Sequence, residues 1–121
     1  MPRSRNRIRR ESLRERANAA FDCGAALREQ GQPREARVEL ERALRLERQL
    51  HGDDNNLDVG ATLYLLGWTL EDLGELEEAR EHLERALAIG LEGHDGELHA
   101  PIASTLHTLG SVVDKLGELV E

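Results

Sequence analysis

Rings, thiols and imino acids are scarce in this chain. Its 121 residues include one Trp, one Tyr, one Phe, one Cys and three Pro. Without aromatic and β-branched enrichment, strand-built architectures are disfavoured. A single cysteine, Cys23, excludes an internal disulfide and suits a reducing cytoplasm, the expected location. Apolar runs stop well short of the roughly 20 residues that span a bilayer. No apolar segment follows the basic N-terminus as it would in a secretory signal. Enzyme signatures are missing as well: no phosphate- or dinucleotide-binding glycine loop, no GxSxG, no HExxH and no Cys–His nucleophile pair. Neither catalysis nor a cofactor is expected.

What remains is a Leu/Ala/Glu/Arg mixture, 33% charged and 39% hydrophobic, that reads as one all-α domain. Its net charge of −8 hides an asymmetry. Residues 1–16, MPRSRNRIRRESLRER, hold seven Arg against two Glu, so the remainder carries −13. An acidic body repels nucleic acid and anionic membranes, which leaves only this basic arm to meet such partners. Three readings of the arm stay open: a helical extension, a disordered basic tail, or an Arg-rich leader from a longer gene. A plain solvated extension is the working expectation.

The chain also repeats itself. A shift of 43 residues superposes Gly24, Gly67 and Gly110, then Gly31, Gly74 and Gly117, and lays LERAL of Leu40–Leu44 on LERAL of Leu83–Leu87. Within each unit, apolar residues step by three and four: Leu63, Leu66, Leu70 and Leu73, and again Leu106, Leu109, Val113 and Leu116. Gly74 and Gly117 follow those runs where a left-handed residue would end a helix. A second run, Leu76, Ala79, Leu83, Ala86 and Leu87, supplies a second helix. Each unit is therefore a helical hairpin: helix A, a glycine turn, helix B.

Leu63, Leu66, Gly67, Leu70, Gly74, Ala79, Leu83 and Ala86 form a pattern that resembles the tetratricopeptide repeat (TPR). Ala20, Cys23, Gly24, Leu27, Gly31, Ala36, Leu40 and Ala43 repeat it, and Leu106, Leu109, Gly110, Val113 and Gly117 begin a third copy. The period is 43 residues rather than the usual 34 or so. With the segment HDGELHAPIASTL, this long form is similar to the repeats of kinesin light chains. The resemblance implies an α-solenoid of antiparallel hairpins, a right-handed superhelix of about two and a half repeats. The expected units are 17–59, 60–102 and a partial 103–121.

The same resemblance places two residues of each helix A on an inner groove. Carried over, these are Phe21 and Ala25, Tyr64 and Trp68, and His107 and Ser111. All three aromatics of the protein are among them. Further along lie Arg28, Glu71, Asp72 and Asp114. An aromatic strip beside acidic side chains suits an apolar or basic peptide. The Lys/Asn/Arg set with which family members clamp carboxylate-ended chaperone tails is missing. In the rival reading, the rings are filler between neighbouring hairpins.

Weaker signals are read as structural. His94 and His99, with Asp95 and Glu97, form a polar connection rather than a metal site. His82 falls on a solvated face of helix B, and Cys23 at a small core position as a buried, inert thiol. The third helix A lacks a helix B, so its apolar face predicts an open edge for a homodimer. The leading function is a non-catalytic protein- or peptide-binding scaffold. A regulator that touches nucleic acid through residues 1–16, or a piece of a larger TPR signalling protein, are the alternatives.

Overall fold

The computed structural model describes residues 2–93 and 100–120. Among them run five helices and no strand: α1 (Pro2–Glu29), α2 (Pro33–His51), α3 (Leu57–Leu73), α4 (Leu76–Gly93) and α5 (Ala100–Val120). Residues 5–16 are the exposed first half of α1, with Leu13 alone among them partly covered.

Local chemistry sets the helix ends. Gly31 and Gly74 adopt left-handed φ values of 78° and 80°. Each donates its amide to the carbonyl three residues back, Arg28 or Glu71, at 3.0 Å. The next amides, Gln32 and Glu75, reach Leu27 and Leu70 at 2.9 Å. This double closure satisfies the orphan carbonyls of α1 and α3 and needs a residue without a Cβ. Pro33, its φ preset for a helix, opens α2. Asn56 caps α3 by accepting the Asp58 amide at 2.8 Å. Gly117 departs from expectation: α5 runs through it to Val120, without a left-handed turn. After Gly31 and Gly74 a second helix folds back onto the first; no described segment does so after Gly117, and the helical ladder continues.

Consecutive helices pack pairwise into an α-solenoid. The first helices also touch one another, α1 with α3 and α3 with α5, whereas α2 and α4 stand further apart, bridged by Arg37 and Glu78 at 3.4 Å. The α1–α3–α5 side is thus the crowded, concave one. Leu40, Leu63, Leu66, Leu70, Leu83 and Val112 are fully buried in the core, each leucine contributing about 1.5–3 kcal/mol. Two glycines let the hairpins close. A Cβ on Gly24 would sit 2.6 Å from Leu40 Cγ, and one on Gly67 2.5 Å from Leu83 Cγ.

Two further sequence expectations need correction. Cys23 is exposed rather than buried. Its counterpart Leu66 packs on Leu40 and Leu44 of the preceding hairpin, whereas among the described residues only α2 and α3 pack against α1. His82 is part-buried rather than solvated. Burial lowers its imidazole pKa below the usual value, with Glu78, Glu81, Arg48 and Glu41 as the charges around it.

Candidate functional site

Tyr64 and Trp68 lie one turn apart on α3, their ring centroids 5.8 Å apart and tilted by 39°. Arg28, at the end of α1, lays its guanidinium carbon 3.2 Å from the Trp68 ring centroid. Its Nη2 also meets Asp72 Oδ2 at 3.2 Å. A cation stacked on an indole in partly desolvated surroundings contributes about 0.5–2 kcal/mol. On the opposite flank Glu71 accepts a hydrogen bond from the Ser111 hydroxyl at 2.6 Å and pairs with Lys115 Nζ at 3.2 Å. Glu71 and Asp72, the acidic pair in the last turn of α3, are therefore held by cations of this chain, one from α5 and one from α1.

Between α3 and α5 runs a groove of about 450 Å³. Tyr64, Trp68 and Glu71 form one wall, His107, Thr108 and Ser111 the other. Ala103 and Ser104, which the repeat pattern did not single out, extend it by one turn. They lie one helical turn before His107, and that spacing is the signal that could have found them. Beyond Tyr64 the groove continues into an apolar pocket of about 250 Å³, lined by Leu57, Ala61, Ala86, Pro101 and Ile102 among others.

The other expected residues lie elsewhere. Phe21 is wedged between α1 and α2 and the start of the central core, against Ala17, Ala43 and Leu40. Ala25 is partly buried on α1, away from the groove lining. Asp114 is exposed on α5, past Ser111. The structure thus gathers Tyr64, Trp68, Glu71, His107 and Ser111 around one groove, sets Arg28 and Asp72 at its α1 side, and leaves Phe21 partly buried against the core.

One buried polar pair escaped the sequence reading. Glu47, only 5% exposed, accepts the Thr62 hydroxyl at 2.6 Å across the α2–α3 contact. Burial pushes its carboxyl up to about 7; the Thr62 hydrogen bond opposes this and the nearby Asp58 charge adds to it. Among the described residues no group of three metal-ligating side chains converges. The His94, Asp95, Glu97 and His99 cluster lies outside them.

Hairpins joined by glycine turns, a small residue facing a leucine in each, and first helices lined up on a concave side are the geometry that the repeat pattern implied. The tetratricopeptide repeat family matches residues 15–92. The chain belongs to the tetratricopeptide repeat family. Tetratricopeptide repeats generally mediate protein–protein interaction, and the family is one of non-catalytic scaffolds. No curated protein matches the chain. No helix of the described residues is long and apolar enough to cross a membrane.

Proposed function

We propose that this tetratricopeptide repeat protein is a cytoplasmic, non-catalytic scaffold that holds a peptide segment of a partner protein in the groove between α3 and α5. The observation that carries this reading is the continuity of the Tyr64–Trp68 strip with the apolar pocket behind Tyr64. An apolar side chain of the segment enters that pocket, and the rings supply broad contact at low cost in side-chain entropy. Basic side chains of the segment would compete with Arg28 for Trp68 and Asp72, so the apolar anchor dominates recognition.

Selection from a displayed random-peptide library tests the reading. Enriched peptides should carry a recurring apolar anchor and lose binding to a Tyr64→Ala, Trp68→Ala double variant that keeps its far-ultraviolet helical signal. Selected peptides that bind this variant as well as the parent would overturn it.

A further inference from the structure

The wall of the α3–α5 groove holds one strong acceptor that the chain leaves half used. The Glu71 side chain is 8% exposed, against 40% for its neighbour Asp72. Ser111 Oγ at 2.6 Å and Lys115 Nζ at 3.2 Å both meet the same carboxylate oxygen, Oε2. Among the described residues nothing hydrogen-bonds Oε1. The sealed side-chain atoms without a partner there are Arg28 Nε and Arg80 Nε, so Oε1 is open to the groove that Glu71 lines. Two donors on one oxygen fix the carboxylate and leave the lone pairs of the other free.

A carboxylate so enclosed strengthens the bonds it accepts, because little water remains to screen it. Its one ion-pair partner among the described residues, Lys115, is itself half exposed. A lysine or arginine is the donor that answers this charge, and on Oε1 it adds to Lys115 without displacing it.

Geometry sets the spacing. Ala61 in the apolar pocket and Tyr64 at its mouth lie ten and seven residues before Glu71 on one helix, about 10–15 Å along its axis. Because α3 and α5 touch, the groove between them holds one extended chain rather than a helix about 10–12 Å across. Side chains an even number of residues apart share a face of an extended chain, which advances about 3.4 Å per residue. A separation of four, about 14 Å, fits the span, whereas two falls short and six overshoots.

Resting on the peptide-binding reading above, we infer that the groove selects an extended segment with an apolar side chain in the pocket behind Tyr64 and a lysine or arginine four residues away that donates to Glu71 Oε1.

The probe is a displayed library of short peptides with a fixed central leucine and random flanks, selected in parallel on the parent and on Glu71→Gln. In that variant Ser111 and Lys115 hold the amide oxygen in the place of Oε2, and an N–H replaces Oε1. Lys and Arg should be enriched four residues from the leucine on the parent. That enrichment should vanish on the variant, while leucine-centred peptides are still recovered. A synthetic peptide from the parent selection should bind Glu71→Gln about tenfold more weakly. Exchanging its basic residue for Gln should cost the same on the parent and nothing further on the variant. Lys115→Ala removes a competing ammonium and should tighten the peptide by about threefold, whereas a Glu71 that merely braced α5 would weaken binding in both variants. Basic enrichment that survives Glu71→Gln or falls at another spacing overturns the inference, as does equal weakening in the two variants. Leucine-centred peptides without a basic preference overturn it too, and leave the groove reading standing. Peptides that bind the Tyr64→Ala, Trp68→Ala variant as well as the parent would overturn both.

Discussion

The helix written at 60–74 and the one written at 103–117 share their glycines and their apolar steps, yet the molecule uses them differently. α3 is enclosed, with α2 on one side, α4 on the other, and α1 and α5 along the concave edge. α5 has α4 and α3 as neighbours, so Ile102, Thr105, Thr108 and Val112 are buried while Leu106 and Val113 remain half in water. Burial here belongs to the neighbourhood of a residue, not to its letter. A repeat unit alone cannot cover both faces of its first helix, which is why such proteins are arrays.

Truncating matched leucines breaks the comparison most strongly. Leu63→Ala empties a site 1% exposed and should cost about 2–5 kcal/mol, whereas Leu106→Ala should cost less than about 1 kcal/mol. Urea unfolding followed by far-ultraviolet circular dichroism reads both.

A second contrast concerns titration. Thr62 donates to Glu47, whereas its counterpart Thr105 turns back to the Pro101 carbonyl at 2.9 Å, because Gly90 stands where Glu47 would be. The Glu47 carboxyl rises in the folded state from its ordinary 4.5 to about 7. The folded protein therefore holds more protons than the unfolded chain between those values. Stability must fall as pH rises through that window, by up to about 3 kcal/mol from this group. Glu47→Gln, which still accepts from Thr62, should flatten that part of the profile and exceed the parent in stability at pH 8. Melting curves from pH 4 to 8 decide the matter; a parent profile unchanged by the substitution would refute it.

The glycines sharpen the comparison by sign. Gly67→Ala places a methyl group against Leu83 and Ala79 and should destabilise by about 1–3 kcal/mol. Gly110→Ala meets open space and should stabilise by up to about 1 kcal/mol through helix propensity. The smallest effect is expected at the cation over the indole. Arg28→Ala should cost about 1 kcal/mol or less, with a double-mutant cycle against Trp68→Phe isolating the stacked contribution.

Much of the fold was legible because the glycines mark both turns and close contacts at a constant spacing. The first and last described helices were harder to read. Cys23 looked like Leu66 and Gly117 like Gly74, since the letters record the unit and not the contacts that surround it. In the groove, Tyr64, Trp68, His107 and Ser111 were singled out by the resemblance to the tetratricopeptide repeat, carried over position by position. The Arg28–Trp68 stack joins residues from different hairpins, and no local pattern announces it. Glu47 was hidden for another reason. It sits in RLERQL, a string that reads like any solvated acidic and basic helix surface, and only its replacement by Gly90 in the next copy hints that the position faces inward.

The lone indole of this protein already carries a built-in gauge. With one tryptophan in the chain, all emission excited at the red edge of its absorption originates beneath a single guanidinium. Any molecule that lifts that side chain away will change the colour and intensity of the light, so occupancy of the concave wall can be followed in an unlabelled sample, in real time, with a simple fluorimeter.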